Sequence, residues 1–158
     1  MFKTGDTVVV NGSDIGQIVD ITKRDLGQQI CEFYIVEKRD QNARLMIPTN
    51  TKDRIRSLPS EDEINEVFTI LSCEQYETDI LVQKRKVFFS YLEKNRFKGA
   101  KEVASILRTL TLLKKKKGLS TAEKKLYTDC RQQLITEVSL AQKKNETEIE
   151  VLMDTALE

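Results

Sequence analysis

The sequence predicts an α+β protein in two parts: an N-terminal small SH3- or Tudor-like β-barrel followed by an all-α helical domain. Three observations carry this. The first sixty residues are short β-branched or aromatic runs separated by clusters of turn residues. From Ser60 onward the apolar residues recur at helical spacing instead. The charge also changes by segment. Residues 1–79 carry 9 Lys+Arg against 15 Asp+Glu, residues 80–144 carry 17 against 5, and residues 145–158 carry 0 against 5. The expected boundaries are a barrel over 1–59, a bridging helix and linker over 60–78, and a helical domain over 79–158.

In chain order, Gly5-Asp6 is a turn and Thr7 to Val10 a β-branched strand. Asn11-Gly12-Ser13-Asp14 is dense in turn residues. Gly16 to Ile21 follows as a strand, with Ile18, Val19 and Ile21 expected in the core. Leu26-Gly27-Gln28 is the next turn, which puts Arg24 at the turn after the second strand. Ile30 to Val36 is aromatic and β-branched, hence a strand. Arg39-Asp40-Gln41-Asn42 turns the chain into a strand from Ala43 to Pro48, whose proline suits a strand end. Arg54-Ile55-Arg56 adds a short fifth strand. Five short strands with polar turns read as a small barrel. An exposed edge strand of such a module can accept a strand from another protein.

Ser60-Glu-Asp-Glu63 is a capping box, with Ile64, Val67, Phe68 and Leu71 following at helical spacing. Ile80 to Phe97 is helical again, with Lys84-Arg85-Lys86 ahead of a stripe in which Phe88, Phe89 and Tyr91 read as mostly buried. Val103, Ala104, Ile106, Leu107, Leu110 and Leu113 give the next helix its apolar face. It ends in Lys114-Lys115-Lys116-Lys117, where positive charge suits the negative helix end, and Gly118 supplies a left-handed stop. Ser120 and Glu123 form a second capping box, with Lys124 and Lys125 one turn in. Six lysines therefore crowd one helix corner. The following helix buries Leu126, Cys130, Leu134, Val138 and Ala141. Asn145 caps a last acidic helix with Ile149, Leu152, Met153 and Ala156 facing inward.

Several function classes fall away. The chain has no histidine, which removes the commonest general base. It has no Gly-rich loop ahead of a helix and no cysteine with a plausible base. No enzymatic activity, cofactor or metal is expected. The three cysteines, Cys31, Cys73 and Cys130, lack metal spacing and read as reduced thiols of a cytosolic protein. No apolar run approaches the roughly 20 residues of a membrane span, and the first ten residues lack the parts of a signal peptide. A cytoplasmic location is expected. The whole-chain charge of +1 conceals a net of +12 over residues 80–144, which favours a polyanion, most commonly nucleic acid.

At this point the chain resembles the CarD/CdnL family of bacterial transcription regulators. The likeness rests on Phe2-Lys-x-Gly-Asp-x-Val-Val, on Met46-Ile47-Pro48, and on Val103-Ala-x-Ile-Leu-Arg108-x-Leu. Its most specific part is Lys117-Gly-Leu-Ser-x-x-Glu-Lys-Lys125 followed by Leu134 to Ala141. It spans nearly the full length, in order. The barrel also occurs in the transcription-repair coupling factor, and the helical half favours the stand-alone regulator. The resemblance implies that the barrel docks on the RNA polymerase β subunit while the helical domain sits on double-stranded promoter DNA at the upstream edge of the melted bubble, stabilising the open complex. It implies Arg24 for the polymerase contact. A second family arginine falls on Met46, and Arg44, two residues away on the same strand face, is its substitute. The family's tryptophan wedge falls on Lys84, and the chain has no Trp, so phosphate binding is kept and the wedge stays an open question of the resemblance. The family's first-turn residues are replaced by Val10, Asn11 and Ser13-Asp14.

The expected DNA-binding set is Lys84, Arg85, Lys86, Lys114, Lys115, Lys116, Lys117, Lys124 and Lys125, making mostly phosphate contacts. Nothing demands a dimer, and a monomer is expected. Two other readings stand beside this one. In the first, the protein is an adaptor on RNA polymerase with solvated lysines. In the second, it is an RNA-binding regulator that uses stacking aromatics.

Overall fold

The computed structural model describes residues 2–39, 42–51, 53–73 and 85–158. The chain divides into two compact units, Met1–Leu58 and Pro59–Glu158.

The first unit is a five-stranded antiparallel sheet in the order β4-β3-β2-β1-β5. The strands are β1 (Thr7–Val10), β2 (Asp14–Asp25), β3 (Ile30–Lys38), β4 (Arg44–Pro48) and β5 (Ile55–Ser57). Period-2 alternation puts Val8 and Val10 on one face with Ile18, Tyr34, Val36, Ile47 and Ile55, and these form the core. Between Ile18 and Asp20 the β2–β3 register shifts, leaving Val19 as a bulge residue. Of the expected trio, Ile18 is therefore central, Ile21 packs at the margin of the core, and Val19 does not join it. Gly16 is a packing requirement: a Cβ there would lie 2.5 Å from Val36 Cγ1 and 2.9 Å from the Glu37 carbonyl. Two glycines, Gly12 (φ +86°) and Gly27 (φ +90°), make the two turns that flank β2.

The closed barrel expected from the sequence is an open sheet here. β4 and β5 are its outermost strands, and no ladder joins them among the described residues. β5 has three residues and β4 five. The inward faces of the strands bury the core without such a seam.

The second unit is helical: α1 (Glu61–Leu71), α2 (Arg85–Asn95), α3 (Ala100–Lys117), α4 (Thr121–Gln142) and α5 (Glu146–Leu157). Its core gathers Ile64, Val67 and Leu71 of α1, Leu107 and Leu110 of α3, Leu134 and Val138 of α4, and Ile149 and Met153 of α5. The span 60–78, expected as a bridging helix and linker, contains α1, and residues 74–78 of it lie outside the described residues. The apolar stripe of α1 packs on α3 in the core of the helical unit, and Glu66 pairs with Lys101 of α3 at 3.0 Å. Ser60 caps α1, its hydroxyl accepting from the Glu63 N–H at 3.2 Å. On α5 the buried stripe is Ile149, Met153 and Leu157, one turn apart each, so Leu152 is exposed rather than inward as expected. No helix among the described residues is long and apolar enough to cross a membrane.

Candidate protein and nucleic-acid interfaces

Strand register places the three candidate residues of the sheet on a single face. Arg24 pairs with Cys31, Met46 with Ile35, and Arg44 with Glu37, and Cys31, Ile35 and Glu37 alternate along β3. Arg24 lies inside β2 and not on a turn, because the β2–β3 ladder continues to Asp25↔Ile30. Met46 is exposed in the middle of β4. The Arg44 guanidinium meets Glu37 at 3.7 Å with both side chains well solvated, an ion pair worth about 0–1 kcal/mol that leaves Arg44 available. Beyond Arg24 the hairpin tip presents Leu26 and Ile30, both strongly exposed. Sequence reading missed these two. The available signal was a pair of large aliphatic residues flanking a Gly-Gln turn. β4 is a sheet edge, bonded on one side only among the described residues.

In the helical unit the lysine corner is built by helix ends. α3 closes at Gly118, whose N–H donates to the Lys114 carbonyl at 3.1 Å. Gly118 has φ +77° but ψ 174°, so the expected left-handed stop is instead an extended positive-φ conformation that glycine alone adopts readily. α4 then starts on a complete capping box: Ser120 N–H donates to Glu123 Oε1 at 2.9 Å, and Glu123 N–H donates to Ser120 Oγ at 3.2 Å. Four consecutive helical lysines fan through about 300° around the axis, so they ring the end of α3. Lys114 leans over the Tyr127 ring, its Nζ 5.5 Å from the centroid. Lys115 donates to the Leu157 carbonyl at 3.3 Å. Lys117 borders an open cleft of about 610 Å3 lined also by Phe89, Gly118, Leu119, Ser120 and Glu123. Lys116, Lys117, Lys124 and Lys125 are exposed. Arg85 and Lys86 open α2, and Lys84 lies outside the described residues.

Arg108 has a role that sequence reading did not assign. It is 3% exposed, inside the apolar stripe of α3. Its Nε donates to the Cys73 carbonyl, just past α1, at 2.7 Å, and its Nη1 donates to the Leu157 carbonyl, the last of α5, at 3.0 Å. A buried guanidinium thus sits at the negative ends of two helices, where orphan carbonyls accept its protons. Lys115 shares the second carbonyl and is in part a structural residue. Other cations are held by acids of the same unit. Arg131 on α4 meets Glu150 at 2.8 Å and Asp154 at 2.9 Å on α5. The hydrogen bond to Asp154 holds its guanidinium proton more tightly than usual. Arg96 reaches Asp129 at 3.7 Å.

The aromatic residues near α2 divide. Leu92 is buried and Phe89 packs against the core, as a core stripe requires. Tyr91 is 59% exposed and Phe97 48%, which corrects the expectation of a buried Tyr91. Tyr91 sits one position before Leu92, about 100° around the helix from it, and so turns away from the core.

The chain thus carries an arginine- and methionine-bearing sheet face in its first unit and a lysine-ringed corner in its second. The chain belongs to the CarD family: residues 66–154 match the model of the CarD C-terminal domain. Residues 2–58 match that of the CarD-like/TRCF RID domain. A Bacillus subtilis (strain 168) protein named "Putative transcription factor YdeB" is 25% identical over 142 residues, covering 89% of this chain and 92% of that protein.

Proposed function

We propose that this protein is a transcription regulator that holds RNA polymerase through its sheet and promoter DNA through its lysine corner, stabilising the open complex. The observation that carries the reading is the two family matches in order over 2–58 and 66–154. Arg24, Arg44 and Met46, on one sheet face, are the proposed polymerase contacts, on the β subunit. Lys116, Lys117, Lys124 and Lys125, with Arg85 and Lys86, are the proposed phosphate contacts. Tethering by the sheet raises the effective DNA concentration, so weak phosphate contacts suffice. The sheet reading is tested by capture of RNA polymerase on the full chain, with loss expected in an Arg24→Glu, Met46→Glu variant. Duplex DNA binding should fall with salt at a log–log slope of about −4 to −5 if about five phosphates are neutralised. A slope near zero overturns the DNA contact.

One observation favours a second reading. Regrouped by unit, Pro59–Glu158 carries 17 Lys+Arg and 17 Asp+Glu, so it is neutral overall. In an adaptor on polymerase the lysines would only be solvated. Charge reversal at Lys117, Lys124 and Lys125 separates the two. The DNA reading expects duplex affinity and open-complex lifetime to drop together, and the adaptor expects neither to change.

A further inference from the structure

We infer that the cleft beside the lysine corner is a binding site for a small organic molecule that joins an aromatic body to a single carboxylate. The site stands on its own geometry, and only its effect on DNA rests on the reading above. The cleft measures about 610 Å3, within the range of small-molecule sites, which are mostly apolar with a few placed polar groups. Phe89 of α2 and Leu119 of the α3–α4 connection supply the apolar surface, both half-buried against the helical core. Ala122, in the first turn of α4, is an exposed part of the wall, and its small side chain leaves the space open.

The charges select the ligand. Of the four lysines that end α3, Lys114 lies over Tyr127, Lys115 donates to the Leu157 carbonyl, and Lys116 is engaged as well. Lys117 borders the cleft, is exposed, and meets no acid among the described residues. The first turn of α4 lies in the same wall and brings the positive end of a helix dipole. A negative group is therefore favoured beside Lys117. Glu123 sets the limit. Its carboxylate, 4% exposed, accepts from the Ser120 N–H at 2.9 Å and puts a negative charge in the wall. That charge repels a polyphosphate, whereas one carboxylate can sit at Lys117 while an aromatic ring covers Phe89 and Leu119. Lys117 is also a proposed phosphate contact, so an occupied cleft withdraws it from DNA.

The test is an amide NMR titration of the full chain with naphthoate and with its neutral counterpart, naphthamide. Naphthoate should bind with a Kd of about 1 mM or tighter and shift the amide signals of Leu119 and Ala122. Naphthamide should bind about two- to fivefold more weakly. Lys117→Met should remove that difference by weakening naphthoate alone, which a mere loss of packing would not do. Ala122→Trp fills the cleft from an exposed position and should abolish binding of both probes while leaving duplex DNA affinity unchanged. Naphthoate should also lower the duplex affinity of the native chain but not that of the Ala122→Trp variant. Absence of saturable shifts overturns the site, as does binding that survives Ala122→Trp. Equal affinity of the native chain for the two probes overturns the carboxylate. Saturable binding in the cleft with duplex affinity untouched overturns the competition for Lys117. A chain that binds naphthoate in the cleft and no duplex at all upholds the site and overturns the DNA reading.

Discussion

Gly118 joins the two lysine-bearing helices at φ +77° and ψ 174°, in open space where a Cβ would touch nothing. The cost of replacing it is therefore one of backbone conformation alone. Gly118→Ala should destabilise the chain by about 1–3 kcal/mol in urea denaturation. Gly16 is the opposite case, with an ordinary backbone and no room. Gly16→Ala forces the methyl against Val36 and a carbonyl that cannot yield, and should lower stability of the sheet unit by about 1–3 kcal/mol. Cys130 makes a pH prediction. Burial pushes its thiol from 9.0 up to about 11. The unfolded thiol loses its proton first, so the folded state is the one that holds protons between those values, and stability declines as pH rises through that window. The slope is roughly 1.4 kcal/mol per pH unit from this group, and Cys130→Ala should flatten it. The same burial predicts that an alkylating reagent at pH 8 labels Cys31 and Cys73, both partly exposed, before Cys130.

Helix ends explain more of the second unit than helix faces do. Both caps were readable from sequence, because Ser-x-x-Glu before an apolar run is a local pattern, and Ser60 and Ser120 do cap. The apolar stripe of α3 was readable for the same reason. Arg108 was visible within that stripe, but its partners were not. They come from Cys73 and Leu157, 35 and 49 residues away. Arg108→Met keeps the bulk and removes both bonds, leaving the Leu157 carbonyl to Lys115 and the part-buried Cys73 carbonyl without its guanidinium donor. The expected loss is about 1–3 kcal/mol, with early loss of amide protection in α5 by hydrogen exchange. Lys115→Ala should show a fraction of that effect and only a small change in DNA affinity, because its Nζ is engaged by Leu157. The α2 region shows the limit of periodicity. It identified Leu92 as core but could not show that α2 ends at Asn95, which leaves Phe97 outside the buried stripe.

The segmental charge of the chain does not survive folding as a division between halves. The sheet unit carries 9 Lys+Arg and 8 Asp+Glu, and the helical unit 17 of each. The acids of α1 and α5 fold against the basic stretch, through Glu66–Lys101 and Arg131 with Glu150 and Asp154. On the proposed reading, attraction to DNA rests on local lysine density, and it should be strongly screened at salt where the Debye length falls below the spacing of the corner. Each unit has its own core. Cleavage between Leu58 and Pro59 should give two fragments that each unfold cooperatively in urea.

Local chemistry settled which stretches are strands and which helices, where the helices start, and which family the chain resembles, because caps, turns and periodicity act over a few residues. The fold alone decided that the sheet is open, that Arg24, Arg44 and Met46 share a face, and that α1 belongs to the helical core. It also decided that acids from distant segments quiet the basic stretch and that Arg108 joins two helix ends. Each of these depends on groups far apart in sequence meeting in space, and register and burial exist only once the chain has closed on itself.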